Sequence, residues 1–341
     1  MGRTIGILIS VAVIVVVFAL LLPKIADYGA VWGVAKDLGA GMAVALLLVA
    51  ALNVLTFAPP WMVALPGLGF LNAVRVTQAS TALSLVAPGG PAVGITTQVA
   101  MLRSWGLPAR AIGLAVGLVG FASQLAIYGL PVVALVVLSG SGGRNGQLDL
   151  IAVIGLAVFT LIVLGSAVPL SSGRLAHWIG ERAARVASAV KGLVNQAPVR
   201  WGGESFRLFR TEALALLRHH GPMLAVTTLA NALTDLLLLA VSLRAVGIDA
   251  THLSLIQVFA AWSIVRVLAE FPLTPGGLGV VEVALSGLLV GFGAENDAAV
   301  AGVLIYRFLQ FAPTIAVGLI AGATWRRGAR TINTPGTDAT A

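Results

Sequence analysis

Long apolar runs separated by short polar stretches dominate this chain. Runs over residues 5–22, 38–58, 111–138, 150–169, 222–243 and 299–323 come close to the roughly 20 apolar residues a membrane-crossing helix needs. Two further apolar regions, 76–100 and 253–293, are broken in the middle. The first is interrupted at Ala87-Pro88-Gly89-Gly90-Pro91, the second at Phe271-Pro272-Leu273-Thr274-Pro275-Gly276-Gly277-Leu278-Gly279-Val280-Val281-Glu282. Proline and glycine end helices, and non-helical backbone persists at membrane depth only where protein buries it or water reaches it. A third pattern fills 170–221. Leu175, Ile179, Val186, Val190 and Leu193, then Phe206, Phe209, Ala213 and Leu217, recur at helical spacing with arginines between them. This predicts basic amphipathic helices on a membrane surface.

Composition sharpens that picture. Of 341 residues, 58% are hydrophobic and 10% charged, against roughly 25% charged in soluble domains; mean hydropathy is +0.99. The expected class is all-α, a polytopic membrane helix bundle: one transmembrane domain over 1–330 and a polar tail over 331–341. The run Ile5–Leu22 ends at Leu22-Pro23-Lys24 with no small-residue cleavage site, so it reads as a retained helix rather than a signal peptide. With no cysteine in the chain, disulfides, thiol catalysis and thiolate metal sites are excluded.

The formal charge of +8 suits lysines and arginines gathered on the cytoplasmic face rather than a nucleic-acid partner. Arg174, Arg182, Arg185, Lys191, Arg200, Arg207, Arg210 and Arg218 against Glu181, Glu204 and Glu212 place 170–221 in the cytoplasm. Arg103, Arg110 and the C-terminal Arg326, Arg327 and Arg330 belong on the same side. The expected location is therefore the cell (inner, cytoplasmic) membrane with both termini cytoplasmic. Arg75 and Arg103 then lie on one side, and the residues between them are too few for two crossings. The Pro88-Gly89-Gly90 region reads as a re-entrant hairpin open to the cytoplasm. Region 253–293 begins and ends outside, as a deep re-entrant hairpin or as two crossings. Helix, Pro-Gly-Gly hairpin and helix thus occur twice in opposite orientation, a transporter design.

Ionisable residues at this depth are candidate functional residues. They are Arg266, Glu270, Glu282 and Arg307, with Asp235 inside the 222–243 run. Arg266 and Glu270, four apart, can meet on one helix face. A helix restarting near Leu278 would turn free N–H groups toward the break, where an anionic headgroup could sit with Arg307 as its cation. Alternatively these charges pair internally and hold the bundle together. Thr77, Gln78, Ser80, Thr81 and Ser84, with Thr96, Thr97 and Gln98, indicate either a wet cavity or hydrogen bonds between helices. Asn53 and Asn231 read as interhelical hydrogen-bonding residues. No H-E-x-x-H, P-loop or G-x-S-x-G motif is present, and His177, His219, His220 and His252 have no metal-ligand spacing. No catalytic residue, metal or cofactor is therefore expected.

Pro275-Gly276-Gly277-Leu278-Gly279-Val280-Val281-Glu282, followed by Ala301-Gly302-Val303-Leu304-Ile305-Tyr306-Arg307, resembles the lysylphosphatidylglycerol synthase transmembrane family, also called flippase-like. Pro88-Gly89-Gly90-Pro91 with Gly106 resembles that family's weaker first-half motif, although no carboxylate lies between Arg75 and Asp149. The resemblance implies an integral inner-membrane protein that moves lipid between leaflets. It also implies that this chain, with no aminoacyltransferase domain in its 341 residues, does not itself make the lysyl lipid. The expected partner is a membrane lipid of phospholipid, glycolipid or polyprenyl-phosphate type. The alternatives are a membrane partner of a separately encoded lipid-modifying or glycosyl-transferring enzyme, and an intramembrane lipid-modifying enzyme.

Overall fold

A computed structural model describes residues 39–87, 90–140, 171–193, 201–271 and 274–325, with isolated positions between 153 and 168 and at 197 and 199. The expected spans over 5–22 and 150–169, and the charged tail, lie outside the described residues or nearly so. Among the described residues the structure is all-helical, without strands.

Helix α1 (Ala40–Thr56) continues, after a single-residue interruption at Phe57, as α2 (Ala58–Ala64). The interruption falls where Pro59 and Pro60 remove two backbone donors, and they are tolerated because they sit in the first turn of α2. Helix α3 (Phe70–Val86) stops before Pro88, with Ala87 already extended, as the residue preceding a proline prefers. Helix α4 (Gly90–Ser104) folds back against α3. Next come α5 (Ala109–Gly140), α6 (Gly173–Leu193) and the 43-residue α7 (Gly203–Ala245). Helix α8 (Leu255–Ala269) starts in a reciprocal cap between Ser254 and Gln257, which satisfies two otherwise free backbone donors. A short 3₁₀ turn (Pro275–Gly277) leads to α9 (Val280–Gly291) and then α10 (Asn296–Thr324).

Among the described residues, four segments are long and apolar enough to cross a membrane: Ala40–Ala64, Ala109–Leu138, Gly203–Ala245 and Asn296–Thr324. Their outward faces carry exposed aliphatic side chains, among them Leu47, Leu48, Val133, Val136 and Ile320. Asn53, Gln78, Asp235 and Arg307 are instead turned inward. That polarity inversion suits a surface solvated by lipid. The chain is an integral membrane protein.

The two broken regions fold as helical hairpins. Helices α3 and α4, 17 and 15 residues long, are roughly 25 and 22 Å in length; α8 and α9, 15 and 12 residues, roughly 22 and 18 Å. None spans the roughly 30 Å hydrocarbon core alone. Helix α10 serves as their common ruler. Its C-terminal half packs antiparallel on α3, so closely that a Cβ on Gly318 would strike the Gln78 carbonyl and lie 2.5 Å from the Ala82 Cβ. Its N-terminal half packs against α7 and α9. The two hairpin tips meet between those halves. A Cβ on Gly276 would lie 3.5 Å from both Leu85 Cδ2 and Phe311 Cζ. Helix α5 shows the same division of labour. Its first half joins the core of α2, α3 and α4 through Ile112, Ala115 and Leu118. Its C-terminal half packs on α8 through Ala134 and Leu138 against Ala260 and Ile256.

The basic segment is helical as expected, but its second helix is not a separate element. Residues 203–221 run without interruption through Pro222 into the apolar half of α7. Helix α6 lies against this first half of α7, where Gly180 lets the backbones approach: a Cβ there would be 2.9 Å from the Gly203 Cα. Pro222 does not end the helix. Leu216, Leu217 and Leu224 on the flanking turns pack into the core shared with α2 and α5, a case of tertiary contacts overriding local preference.

Candidate functional site

The second hairpin's tip requires its glycines. Gly276, Gly277 and Gly279 have φ of 62°, 69° and 79°, a left-handed conformation that other residues adopt only with strain. This lets the chain turn within a few residues and restart a helix at Val280, two residues later than Leu278, with Glu282 in its first turn. The turn presents the Gly276 carbonyl inward, where Arg307 Nη2 donates to it at 2.7 Å.

Arg307, on α10, is 4% exposed. Its Nε donates to Glu282 Oε1 at 2.5 Å and its Nη1 to Gln310 Oε1 at 2.9 Å, while the guanidinium lies 4.2 Å from the Phe311 ring centroid. One arginine therefore ties α9, the glycine turn and α10 together. The other oxygen of Glu282, Oε2, is buried and has no hydrogen-bond partner.

Gln310 connects this pair to a second one. Its Nε2 donates to Asp235 Oδ1 and to the Tyr306 hydroxyl, each at 3.0 Å. Asp235 Oδ2 also accepts from Trp262 Nε1 at 3.0 Å, the Tyr306 hydroxyl at 3.0 Å and Arg266 Nη1 at 3.1 Å. A carboxylate with four donors from α7's neighbours is well compensated for its burial. The Arg266 guanidinium stacks on Trp262, 4.9 Å from its ring centroid. One turn earlier on α7, Asn231 and Thr234 meet Asn53 and Thr56 of α1, so the expected interhelical role of both asparagines holds.

A cavity of about 190 Å³ adjoins the cluster. Asn231, Asp235, Arg266, Glu270, Arg307 and Gln310 supply its polar wall; Phe57, Val265, Val281 and Leu285 are among its apolar lining. Arg266, at 29% side-chain exposure, has further N–H groups beyond the one given to Asp235. Glu270 caps the end of α8 and is exposed, held only through Oε2 by Gln124 Nε2 at 3.1 Å. The site thus holds three carboxylates and two guanidiniums. Two pairs are matched, and Glu270 is the carboxylate left without a cation.

All five expected ionisable residues, Asp235, Arg266, Glu270, Glu282 and Arg307, come together around one network. The pairing differs from the spacing rule, however. Arg266 turns to Asp235 rather than to Glu270, because α7 lies against α8 and offers a carboxylate already held by Trp262 and Tyr306. Pro275 falls in the described turn and Gly90 opens α4; Pro88 and Gly89 lie outside the described residues. The polar residues of the first hairpin resolve mainly into hydrogen bonds: Thr77, Ser80, Thr96 and Thr97 bond their own helices' carbonyls, Gln98 donates to Ser80 across the hairpin, and Gln78 reaches the Val54 carbonyl. Sequence reading assigned no role to Trp262, Tyr306, Gln310 or Gln124. Gln310 was within reach of helical spacing, three residues after Arg307 and four after Tyr306. Gln124 carried no such signal. Among the described residues no three of His, Asp or Glu converge as metal ligands.

Residues 6–318 match the family described as lysylphosphatidylglycerol synthase TM region. The match covers most of the chain, and the chain belongs to this family. No curated protein matches the sequence.

Proposed function

We propose, with that membership as the premise, that the protein moves a lipid with a polar or anionic headgroup between leaflets. The observation that supports this most is a charged, cavity-lining network placed where two helical hairpins meet midway along α10. Charges at that depth are costly unless they serve a polar pathway. Here two of them, Arg266 and Glu270, retain bonding capacity on the cavity side. A headgroup phosphate would take the outer N–H groups of Arg266, and a hydroxyl or amine would take Glu270. Arg307 and Glu282 hold the broken segment in place behind them, while the tails stay in the surrounding lipid.

The pairing of elements supports a two-fold arrangement. Helix α3 packs on α10 and α8 on α5; α1 packs on α10 and α7 on α5; α4 meets α5 and α9 meets α10; α1 and α7 pack on each other. Exchanging α1, α3, α4 and α5 for α7, α8, α9 and α10 reproduces these pairings, whereas the packing of α7 on α10 has no comparable counterpart between α1 and α5. In the proposed orientation the first hairpin enters from the cytoplasm and the second from outside, in the inner membrane with both termini cytoplasmic.

The test is transport in reconstituted vesicles, read as loss of dithionite protection of a fluorescent phosphatidylglycerol. Arg266→Ala and Glu270→Gln are expected to slow exchange at least tenfold, Glu270→Gln while the protein keeps its melting temperature and Arg266→Ala with some loss of stability, since it leaves buried Asp235 without its cation. Wild-type rates in both would remove the headgroup assignment. A second reading, a membrane partner for a separate enzyme, draws on the exposed Trp178, Arg182 and Val186 of α6. Stable co-purification that is lost on Trp178→Ser would favour it. A new lipid species made by the reconstituted protein would instead favour a lipid-modifying enzyme.

A further inference from the structure

The charged network does not account for the cleft between α5 and α7. These helices run parallel, and three cavities follow one another along α7, the first two of them shared with α5. The first, of about 620 Å³, lies between the starts of both helices, walled by Gly113, Leu114, Phe206, Leu208 and Phe209. The Arg110–Glu212 ion pair, at 2.6 Å, joins the two helices beside it. The second, of about 240 Å³, is lined by Phe121, Leu125, Leu217, Leu224, Thr228 and Leu229. The third is the polar chamber, which α7 enters at Asn231 and Asp235. Gln124, on α5 next to the Phe121 and Leu125 that line the second, donates to Glu270, which lines the third.

Two oxygens here are unaccounted for. Thr228 is only 7% exposed, and its Oγ1 is buried with no partner; its neighbour Thr227, by contrast, bonds the Met223 carbonyl. Gln124 Oε1 is likewise buried and unpartnered while its amide nitrogen holds Glu270. An otherwise apolar cleft with unsatisfied oxygens is built for a ligand that is apolar along its length and polar at intervals. A glycerophospholipid has that chemistry: acyl chains for the aromatic and leucine walls, an ester carbonyl for the Thr228 hydroxyl, and a headgroup donor for Gln124 Oε1.

We propose that the α5–α7 cleft is the passage by which a phospholipid reaches the polar chamber from the groove at Phe206 and Phe209, and that the Gln124–Glu270 hydrogen bond is the latch across it. This rests on the transport reading above and adds the route and its closing element. When the latch opens, Glu270 is free to turn to the headgroup, so one carboxylate serves as both gate and contact.

Because the chain has no cysteine, the latch can be locked cleanly. The full-length Ser123→Cys/Ala269→Cys protein, which keeps Gln124 and Glu270 and places its thiols beside them, is reconstituted in vesicles containing phosphatidylglycerol with a diazirine on its acyl chain, and is cross-linked with a reducible thiol-to-thiol reagent. Two readouts follow: exchange of fluorescent phosphatidylglycerol, and the position of photolabel along α5 and α7. The expected result is at least tenfold slower exchange after cross-linking, restored by reductant, with each single-cysteine protein unaffected by the reagent. Photolabel should reach 231–235 in the unlocked protein and stay confined to 205–229 in the locked one. Exchange at the unlocked rate with the cross-link intact would overturn the passage, and so would absence of label from 217–229. Label at 231–235 that the lock blocks, in a protein that exchanges no lipid, would uphold the passage and overturn the transport reading instead.

Discussion

Arg307 carries more of the site than any other side chain. It is buried, stacked on Phe311, and bonded to Glu282, Gln310 and the Gly276 carbonyl. Removing one partner of such a pair leaves an uncompensated buried charge and costs about 3–5 kcal/mol. Glu282→Ala is therefore expected to lower thermal stability in detergent by that order, and Arg307→Ala to do the same. Glu270→Gln, at the exposed end of α8, should leave the melting temperature within the scatter of wild type. This contrast separates residues that brace the hairpin from those available to cargo, and differential scanning fluorimetry of the three variants would show it. Asp249 makes a separate case, on the loop between α7 and α8. Hydrogen bonds from the Thr251 hydroxyl and backbone N–H, with a smaller contribution from His252, pull its carboxyl down to about 2 from an ordinary 3.8. A carboxyl depressed on folding stabilises the turn above its ordinary value and loses that contribution as pH falls through about 2. Protection of the Thr251 amide against exchange should accordingly fade between pH 4 and 2, and Asp249→Asn should abolish that pH dependence.

At the scale of elements, backbone proximity decides how the hairpins seat. Helix α10 can lie on α3 only because Gly318 lacks a side chain opposite Gln78 and Ala82. Small residues at such crossings let membrane helices approach closely. Gly318→Val forces the helices apart and should destabilise the protein by about 1–3 kcal/mol, the usual range for overpacking, seen as a lower melting temperature. Gly287→Ala, where an added Cβ meets nothing within 4 Å, serves as the control and should leave it unchanged. The breaks at Ala87 and at Gly276–Gly279 were legible in the sequence because proline and left-handed glycine carry their conformational consequences locally. The continuity of α7 through Pro222 was not, because the turns on either side pack into a core shared with α2 and α5, which are distant in sequence.

For the whole molecule, the arrangement makes a topological prediction. The two hairpins meet at their tips, so their bases should lie on opposite sides of the bilayer. α3 and α8, roughly 25 and 22 Å long, together match the roughly 40–45 Å thickness that includes the headgroups. Single cysteines near Arg75 and Arg103 should label from the cytoplasmic side, and those near His252 and Glu295 from the outside, in oriented vesicles with an impermeant maleimide. Labelling of both pairs from one side would remove the inverted arrangement and, with it, the two-sided access that transport requires.

Hydropathy, charge asymmetry and the Pro-Gly-Gly breaks were sufficient to determine an all-helical membrane bundle and the two places where its helices break, and to single out five ionisable residues that the fold brings together. These properties are local: a run of apolar residues, a missing donor, a positive φ or a charge in an apolar stretch reads the same wherever the chain goes. What only the tertiary structure decided is who meets whom. Arg266 chose Asp235 over the nearer-in-sequence Glu270, Gln310 linked two ion pairs, Gln124 closed on Glu270, and Gly276 came to rest against Leu85. Each of these contacts joins helices whose relative placement depends on how side chains pack across the whole bundle, and no spacing along one helix encodes that.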